Sequence, residues 1–147
     1  MTLPVEVNAA LQGWPEADTQ EQAFVFLTVD EHDFPHVALL SRAEIHPADD
    51  EVLVAVSGTT TRANLRRAGQ ATLVVFVADT AHYLKLRAVG SREGEGFTVV
   101  AFRVAHHKAD SVGIPLRPVS FRTSSDLARF EHWERHREAL LEFARRR

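Results

Sequence analysis

Four hydroxyl side chains and one arginine follow directly after an apolar run in the first half of the chain. They are Ser57, Thr59, Thr60, Thr61 and Arg62. Thr59 or Thr60 can cap a following helix by accepting a hydrogen bond from a first-turn N–H group. Those N–H groups carry partial positive charge, and arginine holds phosphate with a planar fork of donors. The cluster is a candidate site for a phosphate-sized anion, and an ordinary capped surface helix with a solvated arginine explains it equally well.

Two apolar strands must hold this cluster in place. Residues Val52 to Val56 are apolar on both faces, which predicts a strand covered on both sides. A short helix follows and ends at Gly69, which suits the left-handed conformation that often follows a last helical turn. Residues Ala71 to Ala78 form a second strand of the same kind.

Hairpins surround these two strands. Residues Gln22 to Val29 predict a strand, and a turn with Asp33 in the left-handed region leads to a partner strand that runs from Phe34 to Ile45.

Further along, residues 82 to 92 alternate, so that Tyr83, Lys85 and Arg87 share one strand face. That face is either exposed to solvent or a cationic wall beside a ligand groove or a second subunit. Gly90 predicts a bulge or the end of the regular pairing, and a further strand runs from Phe97 to Val104.

Helices are predicted at both ends of the chain, over residues 4–12 and about 125–144. The apolar stripe of the second helix includes Leu127, Phe130, Trp133, Leu140 and Phe143. Six or seven strands, short turns and peripheral helices favour a mainly β (α+β) fold, a small antiparallel barrel.

Composition narrows the class of protein further. The chain has 147 residues, which predicts a single domain over 1–147. A formal charge of −3 argues against a general nucleic-acid partner, and the absence of cysteine removes thiolate chemistry. No apolar run is long enough to span a membrane, and no signal peptide is evident, so we expect a cytoplasmic protein.

The order of these segments resembles the flavin-binding split-barrel superfamily that includes pyridoxamine 5′-phosphate oxidase. The resemblance covers about residues 22 to 105: a Thr28–Leu40 hairpin, an apolar strand, the Ser57–Arg67 segment and the strand that begins at Ala71. It implies a split β-barrel and a homodimer with FMN in a groove at the interface. It also implies that the flavin phosphate contacts Ser57, Thr59, Thr60, Thr61 and Arg62. The second strand would line the isoalloxazine ring through Val37, Ala38, Leu39 and Leu40.

Three functional hypotheses follow from the resemblance. The first is an FMN-dependent oxidoreductase that acts on a small molecule with reduced nicotinamide or deazaflavin as donor. The second is a non-catalytic dimeric module that binds flavin or serves as a scaffold, because His36 and Ser41 stand where the oxidase has basic residues. The third is a haem-binding relative that uses a histidine of the His106–His107 pair.

A metal site on the histidines is not expected. His132 and His136 are four residues apart, which a polar helix face explains better than metal ligation. His106 and His107 are adjacent in a strand, so their side chains point to opposite faces.

Overall fold

A computed structural model describes residues 2–12, 22–122 and 125–147 of the chain. Within that part, seven strands form one antiparallel sheet. The strands are β1 Phe24–Val29, β2 Pro35–Leu40, β3 Ile45–Ala48, β4 Glu51–Val56, β5 Gln70–Val77, β6 Thr80–Glu93 and β7 Thr98–Ser111. Four helices surround the sheet: α1 Val5–Leu11, α2 Thr59–Ala68, α3 Ser125–Phe130 and α4 Trp133–Arg146.

The order of the strands explains why the sheet curls. It runs β2-β1-β5-β6-β7-β4-β3, so β2 and β3 are the two edges although they follow one another in the chain. In a flat sheet these edges would lie about 29 Å apart, at about 4.8 Å per strand. The step from Leu40 to Ile45 spans at most about 18 Å, and it contains a 3₁₀ turn over Arg42–Glu44. The sheet must therefore roll into a barrel that is open between β2 and β3, which confirms the mainly β, antiparallel split-barrel prediction.

Strand β4 is buried along its whole length. Val52 and Val54 belong to the barrel core, which also contains Phe26. Leu53 points the other way into a second cluster with residues of α4. The prediction of a strand covered on both sides is confirmed, because the barrel covers one face and the C-terminal helix covers the other.

Several local predictions are confirmed at single residues. Asp33 has φ 67° and Gly69 has φ 66°. The side chain of Asp30 accepts hydrogen bonds from the N–H groups of His32 and Phe34, each at 2.9 Å, which holds the first hairpin turn. The β6–β7 register shifts between Ala88 and Gly90, as expected for a bulge.

The partner strand of the first hairpin is shorter than predicted. It ends at Leu40 because Ser41 and Glu44 form a capping box, in which the Glu44 carboxylate accepts from Ser41 N at 3.0 Å and from Ser41 Oγ at 2.9 Å. The strand pattern in the sequence continues without a break from Phe34 to Ile45. It does not reveal the contact between Ser41 and Glu44 that ends the strand.

The single C-terminal helix predicted over about 125–144 is wrong. The chain forms two helices, α3 and α4, which are separated at His132 with φ 59°. Phe130 was placed in the buried stripe and is 78% exposed, whereas Trp133 is 2% exposed. The break redirects the helix so that Trp133 packs edge-on against Phe121 at 6.0 Å.

Helix α4 is tied to the sheet at its end. Arg147 donates to both carboxylate oxygens of Glu51, from Nε at 3.0 Å and from Nη2 at 2.8 Å. A Cβ at Gly90 would lie 2.8 Å from Nη1 of the same arginine. The bulge glycine therefore leaves room for the guanidinium. In the described ranges, no helix is both long and apolar enough to cross a membrane.

Candidate functional site

The hydroxyl cluster lies at the N-terminus of α2, as the sequence predicts, but its cap differs. Gly58 is the N-cap, and no side chain caps the helix, so the prediction that Thr59 or Thr60 is the cap is wrong. Ser57, Thr59 and Thr60 are exposed, whereas Thr61 is 2% exposed. The first-turn N–H groups thus lack side-chain acceptors and lie beside exposed hydroxyls.

Arg62 is already paired within the chain. Its Nε donates to Thr98 Oγ1 and its Nη2 donates to Glu93 Oε2, each at 3.0 Å. The hydrogen bond from Thr98 and the pairing with Arg62 lower the pKa of Glu93. Arg62 lines a small cavity of about 160 Å³. Most of its charge is therefore balanced before any ligand arrives.

The predicted ring-lining residues lie on β2, an edge strand of the sheet. Val37 and Leu39 are each 55% exposed, and Ala38 and Leu40 point towards the core. One side of the strand keeps unpaired backbone N–H and C=O groups, since an edge strand pairs on one side only. Leu39 and Leu40 line a cavity of about 320 Å³, here called the β2 cavity.

The walls of the β2 cavity are mostly apolar or aromatic. They include Phe121 and Trp133, with Ser41, Glu44, Ser120 and Glu131 as polar members. Burial raises the pKa of Glu44 to about 6, and the nearby Glu131 acts in the same direction. An apolar cavity with a few polar groups and a perturbed carboxyl is typical of a ligand site.

A second cavity of about 280 Å³, here called the α4 cavity, lies beside the α3–α4 break. Ser57 lines it together with Phe97, Arg135 and His136. Glu131 lines both this cavity and the β2 cavity. The structure thus places Leu39, Leu40 and Ser57 in two cavities that share one residue. Val37, Ala38, Thr59, Thr60, Thr61 and Arg62 line neither of them.

The sequence did not lead us to assign any residue of the α3–α4 region to the flavin site. The segment His132-Trp-Glu-Arg-His gave a signal, because it gathers three basic side chains within five residues. The sequence does not show which of these three side chains faces the sheet, because that depends on the change of direction at His132, where φ is 59°.

The shared strand face of Tyr83, Lys85 and Arg87 is confirmed. These residues line a broad cleft of about 730 Å³ on the outer face of the sheet, here called the outer cleft, together with Leu27 and His106. Lys85 and Arg87 are exposed at this cleft, and most of the other lining residues are apolar or uncharged.

The histidines are separated as expected for His106 and His107. His107 Nε2 lies 2.9 Å from His82 Nδ1 on a parallel ring, and His106 lines the outer cleft. His132 is exposed, whereas His136 is 5% exposed and meets Phe97 edge-on at 4.9 Å. Across the described residues, no group of three or more histidine, aspartate and glutamate side chains could hold a metal ion.

No family model and no curated protein matches this sequence. Solved structures do match. An F420 reductase superposes with a TM-score of 0.54 at 8% identity, covering 72% of this chain and 98% of that one. An FMN-binding protein from Syntrophomonas wolfei gives 0.53 at 16%, covering 76% and 91%. The styrene monooxygenase flavin reductase from Pseudomonas putida S12 gives 0.52 at 10%, covering 69% and 90%.

These matches define an antiparallel split-barrel protein. The matches bear out the split-barrel fold that the resemblance predicted. At identities of 8–16%, these matches show the fold only.

Proposed function

We propose that the chain binds FMN across the β2 and α4 cavities and acts as a flavin-dependent oxidoreductase on a small molecule. The observation that carries the proposal is the placement of Leu39, Leu40 and Ser57. The resemblance assigned the first two to the flavin ring and the third to its phosphate, and they line two cavities that share Glu131 as a wall residue.

The residues present fit a flavin. Leu39, Leu40 and Trp133 offer apolar and aromatic contact for a planar ring. The free edge of β2 offers backbone donors and acceptors for the polar side of the ring. Ser57, in the wall of the α4 cavity, offers a hydroxyl donor for a phosphate.

A bound flavin would supply the electron transfer, with reduced nicotinamide or deazaflavin as donor. The chain's own residues would position the ring and exclude water from one side of it. Glu44 is the group that can hold a proton there near neutral pH. Its Oε1 already accepts two hydrogen bonds from Ser41, so the proton belongs on Oε2.

We propose further that the chain forms a homodimer through the outer face of the sheet. Val37 exposes apolar surface on the edge strand β2, and Lys85 and Arg87 of β6 line the outer cleft, while Glu31 lies at the exposed tip of the first hairpin. A two-fold axis can place the acidic tip of one subunit against Lys85 and Arg87 of the other. Light scattering of the purified chain should give twice the mass of one chain, and Val37→Lys should shift it to the monomer. A wild-type monomer at micromolar concentration would contradict the dimer.

Flavin binding is tested by the absorption spectrum and by titration with FMN. Leu39→Lys should weaken FMN binding by about tenfold or more, because it removes apolar contact of the size that a leucine supplies. Val112→Lys is the matched control, since Val112 is 52% exposed and lines none of these cavities. A wild-type protein that takes up no FMN would refute the proposal. Equal losses in the two variants would refute the assignment of the ring to β2.

The second candidate is a non-catalytic flavin-binding or scaffold module. It is favoured by one observation, the pairing of Arg62 with Glu93 and Thr98, which occupies the arginine of the expected phosphate site. Flavin-dependent oxidation of a reduced nicotinamide or deazaflavin by the FMN-loaded protein would exclude this candidate. Tight FMN binding without turnover would support it.

A further inference from the structure

The N-terminus of α4 and the residue that precedes helix α2 border the α4 cavity. Ser57 directly precedes Gly58, the N-cap of the ten-residue helix α2, and His132 is the N-cap of the 14-residue helix α4. Neither helix has a side-chain cap. The first-turn N–H groups of α4 therefore lack a side-chain cap, and the positive end of its dipole lies beside the cavity, whereas the first-turn residues of α2 do not line it.

Two side chains of α4 add to this positive end. His136 is 5% exposed and lines the cavity, yet its Nδ1 has no hydrogen-bond partner in the described part of the chain. Arg135 lines the same cavity, and the described residues form no ion pair with it. Burial lowers the pKa of His136, and the charges of His132 and Arg135 add to that effect, which places the three groups close together.

Two carboxylates also line the cavity, Glu95 from the β6–β7 turn and Glu131 from the end of α3. They would repel an anion that offers no hydrogen-bond donors. An anion that also carries hydroxyl groups can donate to them, so the set of residues selects a ligand with both features.

We infer that the α4 cavity binds the phosphate of a phosphorylated polyol. Arg135, Ser57 and the N-terminus of α4 hold the phosphate, His136 lies in the wall beside it, and Glu95 and Glu131 accept from the hydroxyl groups. The inference rests on the proposed function, because the ribityl phosphate of FMN is such a group. It assigns the phosphate to Arg135 of the C-terminal helix rather than to Arg62, whose fork is directed at Glu93 and Thr98.

The test compares FMN with riboflavin, which lacks the phosphate, in fluorescence titrations. The wild-type protein should bind FMN at least tenfold more tightly, and Arg135→Ala should remove most of that preference, as expected for hydrogen bonds to a charged group. Arg145→Ala is the matched control on the same helix, and it should keep the preference. Arg62→Ala should also keep it. Equal preference in Arg135→Ala and Arg145→Ala, or its loss in Arg62→Ala alone, would overturn the assignment.

A second measurement separates this inference from the proposed function. In an NMR pH titration, inorganic phosphate or glycerol 3-phosphate should raise the pKa of His136 in the wild-type protein and leave it unchanged in Arg135→Ala. Glycerol 3-phosphate should act at a lower concentration than inorganic phosphate, because its hydroxyl groups reach the carboxylates. If no flavin binds and His136 still responds in this way, the proposed function fails and the phosphate site stands. If His136 responds to neither ligand, the phosphate site is refuted.

Discussion

The pKa values of two glutamates near the sheet edge are shifted in opposite directions by the groups beside them. Burial raises the pKa of Glu44 to about 6, and only Ser41 offsets that effect. The hydrogen bonds from Arg147 lower the pKa of Glu51, although the carboxylate is 7% exposed. A buried carboxylate with a bidentate arginine stays ionised to lower pH, and one that faces a hydroxyl and a second carboxylate keeps its proton to higher pH. Glu44 is the residue of this pair that can exchange a proton near neutral pH.

Glu44→Gln should make the protein more stable at alkaline pH. The pKa of Glu44 is raised on folding, so its contribution to stability is complete below about pH 4.5 and is lost as the pH rises through about 6. The difference between these values corresponds to about 2 kcal/mol of unfolding free energy. Glutamine keeps an acceptor for Ser41 and carries no charge. Urea unfolding should therefore show similar stability for variant and wild type near pH 4.5 and a more stable variant near pH 8.

Glu138→Gln provides the control for that comparison. Glu138 is exposed on α4, and its substitution should change stability by less than about 0.5 kcal/mol at either pH. A difference between Glu44→Gln and wild type that is the same at both pH values would contradict the assigned titration.

At the scale of elements, the strands and turns follow from local chemistry. Hydrophobic alternation placed the hairpins, and the left-handed positions at Asp33 and Gly69 follow from residue type. The errors fall where a distant contact decides the outcome. Trp133 is buried against Phe121, and that contact accompanies the break at His132, which the helical periodicity of residues 125–144 did not indicate. Glycine or proline would have marked the break, and neither is present in that segment.

Helix α4 should loosen from the sheet when its anchor is removed. Arg147→Ala leaves Glu51 without its bidentate partner in a largely buried position, which should cost roughly 1–3 kcal/mol of unfolding free energy. Arg146→Ala breaks only an exposed pair with Glu142 and should cost less than about 0.5 kcal/mol. Thermal unfolding of the two variants, followed by circular dichroism, measures the difference.

The pH dependence of this effect has a definite sign. The pKa of Glu51 is lowered on folding, so the stabilisation is present above the carboxyl's unfolded value of about 4.5 and is lost as the pH falls through the folded value. The two arginine variants should therefore converge in strongly acidic solution. Equal stability of the two variants at neutral pH would show that Arg147 does not anchor the helix.

At the scale of the whole molecule, the barrel could be predicted and the assembled site could not. The resemblance in residues 22 to 105 gave the split barrel and assigned Leu39, Leu40 and Ser57, all of which line cavities. Sequence spacing could not show that the α3–α4 pair would close over the same region and contribute Glu131 and Arg135. Those residues are more than 70 positions from Ser57, and only the folded chain brings them together.

The short link between β2 and β3 limits how wide this barrel can become. The described strands do not pair across that gap, so a covalent tether of four residues, 41 to 44, sets the separation of the two sheet edges. Residues added at the tips of the hairpins leave the girth of the barrel unchanged, because the tips lie outside the ring of strands. Residues added to the tether lengthen the circumference directly. The length of residues 41 to 44 therefore sets the width of the β2 cavity. A longer segment at this place would make room for a bulkier ligand while every strand stays the same.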